Sequence, residues 1–304
     1  DHIGGRRSLP GTRSLDFRTD RAEGAPLKPE LARGFAYSDC WVEDSRLVVL
    51  NAMDARARGA EILPRTRCVE ARREGDRWTA RLKDLATGAE RVVTARILVN
   101  AAGPWVERFL HGIAGQKGSA HMRLVKGSHI VVPRLYEGDH AYILQNTDRR
   151  VIFAIPYEHR FTLIGTTDIP FEGDASDVKI TPEETDYLCG AVNRYFAKQI
   201  GPADVVRSYS GVRPLYDDDS SANPSAVTRD YVFDLAGSPG EAPLLSIYGG
   251  KITTYRRLAE HAMDKLKPFF PDLRQSWTAD AALPGGDMAS HRFEPFAAAF
   301  MSRH

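Results

Sequence analysis

The sequence predicts a mixed α+β and α/β chain, with a parallel sheet drawn from both ends and an antiparallel sheet inserted between them. Three observations lead there. Ala95–Trp105, ARILVNAAGPW, is an apolar run ending in small residues, as suits a buried parallel strand whose end something approaches closely. Ser246–Lys265, SIYGGKITTYRRLAEHAMDK, passes from a β-branched and aromatic stretch through two glycines into a helical pattern. Between them, HIVVP, AYILQ, RVIFAIPY and FTLIGTTD read as strands from His129 to Asp168.

Residues 1–36 are loop-rich, with Gly, Pro and Arg crowded together. Asp44–Arg58 has apolar residues at helical spacing and an acidic start, and Gly59 closes it. Strand-like runs follow at Glu61–Leu63, Cys68–Glu74, Trp78–Leu82 and Arg91–Thr94, with EGDR and LATG as turns, which predicts an antiparallel meander. Thr181–Gln199 is expected to be a helix, with Thr181 as N-cap, Pro182 first and two glutamates in the opening turn. Val205–Val212, Val227–Phe233 and Leu244–Tyr248 are further strands, and Thr254–Leu266 is the closing helix. Residues 1–120 and 205–286 are expected to form parts of a nucleotide-binding domain. Residues 121–204 form the core of the inserted domain, which also takes in parts of 1–40 and 205–235. Residues 287–304 begin a helical region. The chain opens on Asp1 and reads at both ends like the interior of a longer protein, so an excised piece is expected.

Charge excludes some functions. The 41 Lys+Arg nearly cancel the 40 Asp+Glu, for a formal net charge of +1, so nothing points to nucleic acid or to a broadly basic membrane surface. Cys40, Cys68 and Cys189 form neither a metal-type pair nor a disulfide framework, and a reducing, cytosolic setting is the simpler reading. No apolar run approaches the roughly 20 residues of a spanning helix.

Three segments carry candidate chemistry. A strand followed by Gly249-Gly250-Lys251-Ile252-Thr253-Thr254 and a helix gathers N–H donors, one cation and two hydroxyls near one point. It is either an anion cradle or a tight turn with a solvated lysine. In SYSGVRPLYDDDS, Arg213 precedes Pro214 and is held in extended backbone. It is either an ion-pair partner of Asp217–Asp219 or a bidentate clamp for an anionic ligand. AAGPW, by itself, reads as an apolar strand end beside a core tryptophan.

Taken in order, LPGTRSLDF, FAYSDCWVEDSRLVVLNA, LVNAAGPWV, LVKGSHIVVP, AYILQNTDRRVIFAIPY, LIGTTD, YSGVRPL, VTRDY and GGKITTYRRLAEHA closely resemble the FAD-dependent, aerobic respiratory glycerol-3-phosphate dehydrogenases, from Asp1 to Gly286. The resemblance implies an FAD-binding domain of the D-amino-acid-oxidase-like, glutathione-reductase type with an inserted antiparallel β-sheet substrate domain. It implies oxidation of sn-glycerol 3-phosphate to dihydroxyacetone phosphate, with electrons passing to a quinone; the related oxidase, which uses oxygen, is the nearest rival, and a non-catalytic scaffold is another. The parent enzyme would sit in the cytoplasm, peripherally on the inner membrane face, as a possible homodimer.

By the same resemblance, Gly249, Gly250, Lys251, Ile252, Thr253 and Thr254 lie against the flavin and ribityl part of FAD, as does Gly211. Lys251 would stabilise charge on the reduced ring. Ala101, Ala102, Gly103 and Pro104 follow the ribityl–adenosine side, and the Val69 backbone meets the adenine. Arg213 and Arg229 are the implied pocket arginines and His129 the pocket histidine, the natural proton acceptor or else a group that only positions substrate. Thr166, Thr167 and Asp168 line a nearby turn. The family's N-terminal G-x-G-x-x-G motif has no counterpart in this sequence.

A purified sample of the chain as given is therefore expected to lack FAD, because that loop and its helix dipole meet the pyrophosphate charge. A yellow preparation with about one flavin per chain would overturn this.

Overall fold

The structure, a computed structural model, describes residues 10–116, 121–217, 230–270, 272–288 and 293–303. Its elements run β1 (Arg13–Asp16), β2 (Arg33–Ala36), a helix Asp44–Ala57, β3 (Thr66–Glu74), β4 (Arg77–Asp84), β5 (Glu90–Ala95) and β6 (Leu98–Asn100). Then come β7 (His121–Pro133), β8 (Tyr142–Gln145), β9 (Val151–Tyr157), β10 (Phe161–Gly165), β11 (Ile169–Pro170), a helix Pro182–Asn193 and β12 (Arg207–Asp217). β13 (Val232–Ala236), β14 (Leu244–Tyr248) and helices Tyr255–Leu266 and Phe293–Met301 complete the described chain. They fall into two compact units. One comprises Asp1–Cys40, Ala102–Glu107 and Ser119–Asp230, the other Trp41–Ala101, Arg108–Gly118 and Tyr231–His304.

The first unit is built on a six-stranded sheet. β11, β7, β10, β9 and β8 follow one another in that order, and β12 pairs with β7 on its other side. One row crosses five strands in register, Ile143–Phe153–Gly165–His129–Tyr209. Because side chains alternate along a strand, that row shares one face and the flanking residues share the other. The second face is apolar. Ile130, Val132, Tyr142, Leu144, Ile152, Ala154 and Ile164 pack there with Leu188, Cys189, Ala191, Val192 and Phe196.

The Pro182 helix supplies that cover. Its entrance is a reciprocal capping box: the Thr181 hydroxyl accepts from the Glu184 N–H at 3.3 Å, and the Thr181 N–H donates to Glu184 Oε2 at 2.9 Å. It stops at Asn193, short of the expected Gln199. There the Asn193 side chain turns the backbone, donating to the Ile200 carbonyl at 2.7 Å and accepting from its N–H at 2.8 Å. Residues expected to be loop also contribute: β1 and β2 form an antiparallel pair, and Leu27 bridges to Phe196.

The second unit holds two three-stranded sheets. β3, β4 and β5 form the expected meander, but Glu61–Leu63 is not a strand; it pairs with no strand among the described residues, and the meander begins only at Thr66, beyond Pro64. β6 and β14 pair in parallel, Leu98 with Leu244 through Asn100 with Ser246, while β13 lies antiparallel on the far side of β14. Trp78 is fully buried and its indole donates to the Pro243 carbonyl at 2.9 Å. Leu245, Ala262 and Leu266 form the seam against the Tyr255 helix.

Leu188 is fully buried at the centre of the first unit's core. Leu188→Ala is expected to destabilise by about 2–5 kcal/mol, against under about 1 kcal/mol for Ile143→Ala on the open face. Urea unfolding of the two variants, followed by circular dichroism, checks the contrast.

Candidate functional site

The face of the first sheet turned away from the Pro182 helix is where the candidate residues gather. On β12, Tyr209, Gly211 and Arg213 alternate onto it, opposite His129, Gly127 and Val125 of β7. Gly127 and Gly211 thus face each other, leaving a side-chain-free step between His129 and Arg213. The Arg213 guanidinium lies over Gly127, where an added Cβ would stand 2.6 Å from Nη2. The His129 ring lies over Gly165, where a Cβ would overlap it. Both glycines are there for close approach.

Arg213 is fixed on two sides. Its Nη1 donates to Asp168 Oδ1 at 2.7 Å and its Nη2 to Thr166 Oγ1 at 3.1 Å. Its ion-pair partner is therefore Asp168; the Asp217 side chain and residues 218–219, the alternative considered from sequence, lie outside the described residues, as does Arg229. The guanidinium keeps further N–H groups for a ligand. His129 is half-buried, and the Tyr209 ring stacks on it at 4.9 Å between centroids and 10° between planes. Its Nδ1 is buried and finds no hydrogen-bond partner among the described residues. Burial, then the Arg213 charge, pushes its pKa down to about 4, so the imidazole is neutral near pH 7.

Directly beneath lies a buried polar network centred on Glu184, which is 3% exposed. Oε1 accepts from Ser128 Oγ at 2.8 Å and Thr167 Oγ1 at 2.7 Å. Oε2 accepts from Lys126 Nζ at 2.8 Å and the Thr181 N–H at 2.9 Å. Ser128 Oγ also meets Ser210 Oγ at 2.8 Å, and the Ser128 N–H donates to Thr167 Oγ1 at 2.9 Å. Burial alone would raise the Glu184 pKa, but these hydrogen bonds hold it below its ordinary value, so it is ionised.

In the second unit, β6 and β14 end side by side, at Asn100 and Tyr248. Ligands of α/β sheets bind beyond such carboxyl ends. β14 runs into Gly249 (φ 72°) and Gly250 (φ 100°), left-handed backbone that glycine adopts freely. A 3₁₀ turn, Ile252–Thr254, then opens the Tyr255 helix, with no side chain capping either start. The Thr254 and Tyr255 N–H groups already donate to the Lys251 and Ile252 carbonyls, so the donors this turn can offer a ligand are those ahead of them, from Lys251 to Thr253. Lys251 is exposed at this turn, and the Ser246 hydroxyl is buried without a partner among the described residues. After β6 and Ala101 the chain passes into the first unit at Ala102, followed by Gly103 (φ 56°) and Pro104. Trp105 is not the core residue expected; it is 38% exposed and its indole donates to Asp174 Oδ1 at 3.1 Å.

Val69 occupies a β-bulge. Cys68 pairs with Leu82 and Glu70 with Arg81, so Val69 is left out of the ladder. It lines an open cleft of about 610 Å³ with Arg72, Arg73, Arg81, Gly112 and Gln116. Gly127, Gly165, Asp168, Tyr209 and Glu184 were not singled out for these roles from sequence. The alternation of YSGVR was signal enough to place Tyr209, Gly211 and Arg213 on one face; the Asp168 pair and the Glu184 network had no local signal.

The sequence profile of FAD dependent oxidoreductases matches residues 5–256. The chain is 54% identical over 297 residues to D-erythritol 1-phosphate dehydrogenase of Brucella abortus, covering 98% of this chain and 59% of that protein. It is 54% identical over 287 residues to glycerol-3-phosphate dehydrogenase of Pseudomonas aeruginosa, covering 94% and 55%. It is 47% identical over 304 residues to the aerobic glycerol-3-phosphate dehydrogenase of Escherichia coli, covering 100% and 60%. The chain thus spans somewhat over half the length of these relatives. Among solved structures, glycerol-3-phosphate dehydrogenase from Bacillus halodurans complexed with FAD superposes with a TM-score of 0.79 at 27% identity, over 96% of this chain and 58% of that one.

His129 also imposes a pH dependence. Its folded pKa, about 4, lies below the ordinary 6.5, so the unfolded chain binds more protons between those values. Stability contributed by the neutral ring is present above pH 6.5 and lost as pH falls toward 4. By pH 5 the loss is expected to be on the order of 1–2 kcal/mol and absent in His129→Asn. Urea unfolding of both proteins at pH 7 and pH 5 measures it; equal losses in the two would contradict the assignment.

Proposed function

The chain belongs to the FAD-dependent oxidoreductase family, and on that premise we propose that it serves in oxidising sn-glycerol 3-phosphate to dihydroxyacetone phosphate, with FAD as hydride acceptor and a quinone taking the electrons onward. The observation that carries this reading is the pairing, on one sheet face, of a neutral His129 with a fixed Arg213 across a glycine step. The first unit is then the substrate domain. Of the residues we assign to the cofactor, Gly249–Thr254, Ala101 and the bulged Val69 backbone belong to the second unit, and Ala102–Pro104 and Gly211 to the first.

The residues fit such a cofactor on three counts. Among the described residues His129 Nδ1 is buried without a partner, no side chain caps the turn after Gly250, and Val69 is left out of its ladder. When bound, FAD takes the hydride from the carbinol carbon. In this chain His129 receives the hydroxyl proton as the C=O forms, which its neutral ring allows at physiological pH. Arg213, held by Asp168 and Thr166, orients the substrate and keeps it in register for transfer. The Asp168 carboxylate offsets much of its charge, so a phosphate dianion needs a second cation. We assign that to Arg229, and the charge on the reduced ring to Lys251.

The whole protein would act peripherally on the inner membrane face; among the described residues no helix is long and apolar enough to cross a membrane. The 54% identity to an enzyme of D-erythritol 1-phosphate favours that four-carbon polyol phosphate as the second substrate to assay.

In the full-length protein, turnover is expected with glycerol 3-phosphate or D-erythritol 1-phosphate, and Arg213→Lys is expected to reduce kcat/KM about a hundredfold or more. A fork bound at two points becomes a single point charge, and small displacements misalign the reacting atoms. Steady-state kinetics with a quinone analogue test it. Wild-type kcat and KM in Arg213→Lys would remove Arg213 from the site.

A further inference from the structure

We propose that Glu184 is a positioning residue of this site, orienting His129 and Arg213 together through the residues beside them. The inference rests on the pocket assignment just given. Three of the four groups that donate to Glu184 belong to Lys126, Ser128 and Thr167. Ser128 directly precedes His129. Thr167 lies between Thr166 and Asp168, the two residues that hold Arg213. Ser210, bonded to Ser128, directly follows Tyr209, whose ring stacks on His129. One carboxylate thus holds the side chains of the residue beside His129 and of the residue between the two that fix the Arg213 guanidinium.

Core packing alone does not account for this charge. Glu184 begins the buried stripe of its helix, which continues through Leu188, Ala191 and Val192. An apolar side chain is the expected occupant of that stripe. Replacing a buried ion pair by apolar residues is often neutral or stabilising, whereas directed hydrogen bonds fix one arrangement. The only turn of this helix whose buried face carries a charge is the one beneath His129 and Thr167.

The test uses the full-length protein with three variants. Glu184→Gln removes the charge. Ser128→Ala combined with Thr167→Val keeps the Lys126–Glu184 pair but cuts the links, and Thr167→Ser keeps a hydroxyl in place. Histidine-labelled protein is titrated by NMR, with His129 assigned by its loss in His129→Asn. The wild-type ring is expected to stay neutral down to about pH 5. In Glu184→Gln and in the linked double variant its midpoint should rise by a unit or more, as the loosened ring meets water; Thr167→Ser should match wild type.

The sign discriminates. The charged groups around the ring are Arg213 and Asp168 in the site, Lys126 on β7 and Glu184 on the helix. Removing the Glu184 charge while Lys126 remains would by itself lower the His129 midpoint. A merely structural Glu184 leaves the midpoint unchanged or lowers it, and either result overturns the proposal. Where Glu184→Gln does not fold, the double variant gives the answer. In kinetics, Glu184→Gln and Arg213→Lys should combine to less than the product of their separate losses, as residues acting through one another do. Should the wild type turn over neither polyol phosphate, the functional reading fails while the ring titration still decides the positioning role.

Discussion

A single ionised carboxylate buried between a helix and a sheet constrains the first unit. Glu184 cannot remain charged there unless four donors meet it, because an unpaired buried charge costs several kcal/mol or more. Those donors come from β7, from the segment after β10 and from the helix entrance. Sheet register, helix start and turn geometry are therefore solved together or not at all. The capping box is part of the same solution, since Glu184 satisfies a backbone donor at the N-cap while its other oxygen reaches the strands.

The opposite face of the sheet shows the complementary principle. Where the Pro182 side is filled to core density, the His129 side is thinned by Gly127, Gly165 and Gly211. Two of these glycines make room for the Arg213 and His129 side chains, and the third leaves open space. Arg213 and His129 gain fixed positions from backbone and neighbours rather than from bulk around them.

Much of this was legible in the sequence, for physical reasons that differ by element. The Pro182 helix announces itself locally, through a cap, a proline and two glutamates. The strands of the inserted sheet announce themselves by alternation, and the turn at Gly249–Thr254 by its glycines. What failed was non-local. Glu61–Leu63 has strand-like residues but no strand to pair with. Trp105 follows an apolar run yet points to a carboxylate. Asp168 looked like turn lining because its partner lies 45 residues away along the chain. The bulge at Val69 depends on how β3 meets β4, which no single strand encodes.

A cation that carries its own counter-ion behaves differently from a bare one. The Arg213–Asp168 pair presents almost no net charge beyond its immediate surroundings, so it exerts little pull on anions at a distance, in a medium whose screening length is about 10 Å at 0.1 M salt. A ligand meeting Arg213 would accordingly be read by fit at hydrogen-bond range. Such a pair would respond to a ligand's shape at contact far more than to ionic strength.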